Sequence, residues 1–122
     1  MTGYRNLELP ADRLAPRRAR HEVRDLLAAE DRPDSVASLL VTELVTNAVR
    51  HVTEENGATV RVNLEVRAGR LRVEVVDEGA GFDLTDAVDT SDGYGLLIVE
   101  RLADGWGVVS GPPHRVWCEL TV

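Results

Sequence analysis

The spacing of apolar and polar positions changes several times along the chain, and each change marks an element. Residues 4–9 (YRNLEL) alternate and are closed by Pro10, which predicts a short edge strand. From Pro16 to Glu30, Ala19, Val23, Leu26 and Leu27 recur at helical spacing, with charges on the other face. Asp34 follows Pro33 and can cap a second helix, SVASLLVTELVTNAVRHV, whose apolar residues cover most of its circumference. That helix should lie deep against a sheet. Asn56-Gly57 closes the unit as a turn.

Residues 58–67 (ATVRVNLEVR) and 70–77 (RLRVEVVD) then alternate strictly on either side of Ala68-Gly69, which predicts a β-hairpin with one buried face. Residues 77–95 are rich in glycine and hold six acids and no base, so they read as a long loop of the kind that carries function. A short helix follows at 96–103 (LLIVERLA). Two more strands, 106–110 and 116–122, are joined by Gly111-Pro112-Pro113. The order β-α-α-β-β-loop-α-β-β implies an α+β fold. It should be a two-layer α/β sandwich whose mixed, mostly antiparallel sheet carries its helices on one face.

Composition narrows the picture. A chain of 122 residues fits one compact domain, taken as residues 1–122, able to bury a core without staples. With five aromatic residues in all, that core must be mostly Val, Leu, Ile and Ala. The net charge of -7 argues against direct nucleic-acid binding and against an anionic membrane surface. All basic charge is arginine, which excludes lysine-dependent phosphate loops and Schiff-base chemistry. A lone Cys118 and the lack of any apolar span or signal core lead to an expectation of a soluble, cytoplasmic protein.

Three groups of residues can carry chemistry. Glu43 and Asn47 are four apart, hence on one helix face beside the apolar stripe. An Asn carbonyl can ligate Mg2+ alongside waters and phosphates, and a Glu can accept a proton from an attacking hydroxyl. The same spacing also fits an ordinary helix with both side chains in solvent. Asp77 ends a strand and begins D-x-G-x-G, where Gly79 and Gly81 allow a ligand ring to approach the backbone; a plain β-turn has the same composition. Gly93, Tyr94 and Gly95 precede a helix starting at Leu96, whose free N–H groups could hold phosphate, though a lone G-x-G also suits a loop end. Neither a Walker loop nor a dinucleotide fingerprint is present.

In this order, the three groups resemble the GHKL superfamily of ATP-binding domains, with its Bergerat-type fold. The phrases ELVTNAVRH (43–51), VVDEGAGF (75–82), GYGLLIVERLADGWGV (93–108) and RVWCEL (115–120) are similar to its stand-alone branch, the RsbW-like anti-sigma-factor serine kinases of actinobacteria and bacilli. The resemblance implies ATP and Mg2+ as ligands. It makes Glu43 the general base, Asn47 the Mg2+ ligand and Asp77 the acceptor of the adenine amine. Gly79 and Gly81 would shape the adenine pocket, and Gly93, Tyr94, Gly95 and Leu96 would meet the nucleotide. It further implies a sigma factor and a STAS-type anti-anti-sigma protein as partners, homodimerisation, and phosphorylation of a partner serine. A non-catalytic, ATP-dependent protein-binding regulator is the alternative on the same fold. One position departs from the pattern. Members commonly carry Thr just before the V-W of the last strand, where it supports the adenine-binding Asp, and here that position is Arg115.

Overall fold

The computed structural model describes residues 2–51, 58–77, 94–109 and 113–122. Its elements follow the predicted order: β1 (Thr2–Pro10), α1 (Ala15–Ala29), α2 (Ser35–His51), β2 (Thr59–Arg67), β3 (Arg70–Asp77), α3 (Tyr94–Leu102), β4 (Gly105–Val109) and β5 (His114–Thr121). The fold is α+β. The five strands form one sheet in the order β1-β2-β3-β5-β4, and every pairing is antiparallel, so the mixed sheet that was expected is fully antiparallel.

Each local feature has a physical cause. In β2 and β3 the alternating Val60, Val62, Leu64, Leu71, Val73 and Val75 turn to one face and are buried there, with the intervening polar residues on the other. The two-residue turn between them sets Ala68 and Gly69 at φ of 52° and 76°, the left-handed pair that matches strand twist in a tight hairpin. At the end of α1, Asp31 takes a left-handed φ of 55°. Its N–H donates to the Ala28 carbonyl and the Arg32 N–H donates to that of Leu27, so the last carbonyls are satisfied in a Schellman arrangement. Asp34 starts α2 as expected, its carbonyl accepting from the Ser38 N–H and its carboxylate from the Ser38 hydroxyl.

α1 buries Ala15, Ala19, Val23, Leu26 and Leu27, and α2 buries Leu40, Val41, Leu44 and Val45. Together with the apolar sheet face they make one core, to which α3 adds Leu96 and Val99. Each fully buried Leu or Val contributes about 1.5–3 kcal/mol relative to exposure. Gly3 permits α1 to lie close to β1, since a Cβ there would stand 2.6 Å from the Leu26 Cδ1.

The opposite sheet face has no helix of the described residues against it and is a mosaic of opposite charges. Glu119 accepts from Arg70 at 3.1 Å and from Arg72 at 2.8 Å, and the Arg72 guanidinium sits 4.5 Å from the centre of the Trp117 ring. Trp117 lies flat over β4, where a Cβ on Gly107 would come within 2.8 Å of its Nε1. Trp106, one residue earlier in β4, points the other way and packs against the core opposite Cys118.

Candidate functional site

Asp77 is the last residue of β3 and lies on the helix-facing side of the sheet, continuing the parity of Val73 and Val75. Its backbone is paired with Val60 of β2 and with His114 of β5, and Val60 in turn with Leu9 of β1. A row Leu9–Val60–Asp77–His114 therefore crosses one end of the sheet. In that row Asp77 is 3% exposed, a buried carboxylate between the apolar Val60 and the half-buried His114. Burial of such a group is costly unless polar partners meet it.

α2 packs on β2, β3 and β5 and also against α3, so it is the common neighbour of the strand that ends in Asp77 and the helix that begins at Tyr94. Glu43 is half-buried, and Asn47, one turn later, is 8% exposed. The reading in which both side chains point to solvent therefore fails for Asn47. The Asn47 Nδ2 is buried and meets no acceptor among the described residues. An unmet donor in that position suits a ligand that brings oxygen acceptors. The other flank of α2 is occupied by structural bonds: the Thr42 hydroxyl donates to the Ser38 carbonyl at 2.7 Å and accepts from Arg20 at 3.3 Å.

α3 begins at Tyr94, two residues earlier than expected from the sequence. Tyr94 and Gly95 form its first turn and do not precede it. A glycine is tolerated there because first-turn N–H groups have no partner within the helix. The Leu96 side chain is buried in the core, so only its backbone could face a ligand. Gly79, Gly81 and Gly93 lie outside the described residues.

The register corrects the reading of the last strand. Arg115 is paired with Val76, not Asp77, and its side chain lies on the far face of the sheet, 3.8 Å from the Glu74 carboxylate. The β5 residue that shares a face with Asp77 is His114, which is half-buried. Counting back by two from the buried Val116 would have found it. Among the described residues no group of three or more His, Cys, Asp or Glu is placed to hold a metal by itself. No helix among them is long and apolar enough to cross a membrane.

Residues 9–115 match the family described as the histidine kinase-like ATPase domain. Among solved structures, one of the RsbU and RsbW domains of Rv1364c from Mycobacterium tuberculosis is similar with a TM-score of 0.73 at 22% identity, over 98% of this chain and 32% of that one. The chain thus spans about a third of that structure. The Acinetobacter baumannii histidine kinase AdeS is similar with a TM-score of 0.56 at 17% identity, over 98% of this chain and 67% of that one. At these identities the likeness is one of fold. Among curated proteins none matches in sequence.

Proposed function

The chain belongs to the histidine kinase-like ATPase domain family, and on that premise we propose that it is an ATP-binding regulator that restrains a sigma factor and phosphorylates a serine or threonine of a STAS-type anti-anti-sigma protein. One observation supports this most directly. Asn47 and Asp77 are buried polar side chains on two elements packed together, inside the stretch that matches the family. A core does not place an amide and a carboxylate there for packing.

In this reading the Asp77 carboxylate accepts from the exocyclic amine of adenine. Asn47 would hold a Mg2+ ion through its side-chain carbonyl, and the ion would offset the charge of the phosphates. Mg2+ characteristically takes one or two protein oxygens and fills its remaining positions with water and phosphate. Gly79 and Gly81 would shape the adenine pocket, and Gly93, Tyr94, Gly95 and Leu96 would meet the nucleotide. Glu43 receives the proton as the partner's hydroxyl oxygen bonds to the γ-phosphorus and ADP leaves. The stand-alone, actinobacterial type of anti-sigma kinase, acting as a homodimer in the cytoplasm, is the form this proposal takes. The fold likeness to the structure containing an RsbW domain supports that form.

The test is titration calorimetry with Mg-ATP and Mg-ADP, followed by transfer of labelled γ-phosphate to STAS-type partner proteins. Binding with transfer is the expected result, and Glu43→Ala should keep binding and lose transfer. Binding without transfer across such partners assigns the non-catalytic regulator. The absence of any isotherm overturns the nucleotide reading.

A further inference from the structure

The two edges of the sheet are built differently. β1, at one edge, carries Arg5, Glu8 and Pro10, and charges and proline are what keep an edge strand from pairing with another chain. β4, at the other edge, reads Gly-Trp-Gly-Val-Val and holds neither charge nor proline. Among the described residues it pairs with β5 alone. Val109, at its end, is 50% exposed.

The apolar layer also stops short at this edge. Trp106 and Val108 turn to the core face, opposite Cys118 and Val116. Those two β5 residues are buried, whereas Trp106 and Val108 are only half-buried. A further strand beside β4 would cover more of both. Charge does not oppose one. The chain carries -7 overall, yet residues 94–109 hold only Glu100, Arg101 and Asp104 as charged groups. The Asp104 carboxylate is already engaged, accepting from the Thr121 N–H at 2.8 Å and from its hydroxyl at 2.9 Å.

The strand also matches a copy of itself. Set antiparallel and centred on Gly107, Trp106 meets Val108 of the copy, Gly105 meets its Val109, and Gly107 meets Gly107. An aromatic residue beside a β-branched one is a favourable cross-strand pair, and no like charges meet. This register uses all five residues of β4 on both copies and keeps the helices of both on one side. From the uncharged edge, the unfinished apolar layer and the self-matching register, we infer that a second copy of the chain pairs here, β4 against β4 about a two-fold axis at Gly107. Two five-stranded sheets then join as one of ten strands. This gives a surface to the homodimer of the reading above and rests on that part of it alone. An edge of five residues is about 17 Å long, a small interface, so the dimer should be weak and should form only at high protein concentration.

Sedimentation of the full chain from about 1 to about 500 μM reads the association, which is expected to be a reversible monomer–dimer equilibrium. Val108→Lys combined with Val109→Lys should weaken it at least tenfold, because lysines on an edge strand oppose pairing. Val109→Lys alone, at an exposed position, should weaken it in the same direction without lowering Tm at low concentration or changing the Mg-ATP isotherm. Loss of pairing is then separable from loss of fold and of nucleotide binding. Spin labels on Glu8→Cys, at the far edge, should lie about 43 Å apart in the dimer, nine strand spacings of about 4.8 Å. A chain that stays monomeric at every concentration overturns the inference and the homodimer together. A dimer unmoved by both variants, or one whose labels lie within about 25 Å, overturns the inference and leaves the homodimer standing.

Discussion

Asp77 and His114 stand directly opposite each other across the β3–β5 ladder, on the helix-facing side of the sheet. Side chains so placed have Cβ atoms about 4.5–5.5 Å apart, within reach of a direct hydrogen bond. His114 retains an N–H donor in either charge state, and a carboxylate as buried as Asp77 requires donors to hold its orientation. His114→Ala is therefore expected to weaken Mg-ATP binding about tenfold, about 1.4 kcal/mol. Arg115→Ala, on the other face, should leave it unchanged. Calorimetry on the two variants checks this, and equal affinities would remove His114 from the site.

Asn47 should show a conflict between stability and binding. Its buried Nδ2 lacks an acceptor among the described residues, and an unmet buried donor costs about 1–3 kcal/mol. Asn47→Leu removes that donor while keeping much of the volume. The variant is expected to melt higher than the parent without nucleotide and to lose the rise in Tm that Mg-ATP gives the parent. A lower Tm in the nucleotide-free variant would show that the amide is satisfied in solution.

The β2–β3 hairpin offers a stabilising change far from any site. Ala68 holds a φ of 52°, a conformation that costs a residue bearing a Cβ about 1–2 kcal/mol. Ala68→Asn or Ala68→Gly should raise stability by about 0.5–1 kcal/mol, read as a higher urea midpoint at unchanged slope.

Cys118 is fully buried opposite Val73 and Trp106. Burial pushes its thiol up to about 12 from an ordinary 9.0, with Arg72 lowering it in part and Glu119 raising it. The native state thus keeps a proton that the unfolded chain releases above pH 9.0. By linkage this group leaves stability unaffected below that pH and reduces it as pH rises toward 12. Cys118→Ala should flatten that alkaline decline. In the parent, alkylation of the thiol should track unfolding and not the pH of the native protein.

Much of the fold was legible because it is written locally. Strict alternation in residues 59–67 and 70–77 sets the faces of β2 and β3, and Ala68-Gly69 sits where the period breaks. Asp34 directly precedes α2, and its carbonyl accepts the helix's first backbone bond, from the Ser38 N–H. The sheet order was not legible, since placing β5 between β3 and β4 depends on pairing between distant residues. For the same reason Arg115 was assigned to Asp77. Only the register shows that Val76 is its partner and His114 its replacement. The E-x-x-x-N spacing placed Glu43 and Asn47 on one face, but their unequal burial follows from where β3 and α3 meet α2.

The flat seating of Trp117 over Gly107, with Trp106 turned inward from the same strand, gives the molecule two optical reporters on opposite sides of one sheet. Trp106 stands opposite Cys118 in the β4–β5 ladder and packs on the core, whereas Trp117 lies under the Arg72 guanidinium at the solvent side. Single-tryptophan variants would then register separately the loosening of the helical layer and the covering of the open face by another protein. No added dye is needed to follow either event.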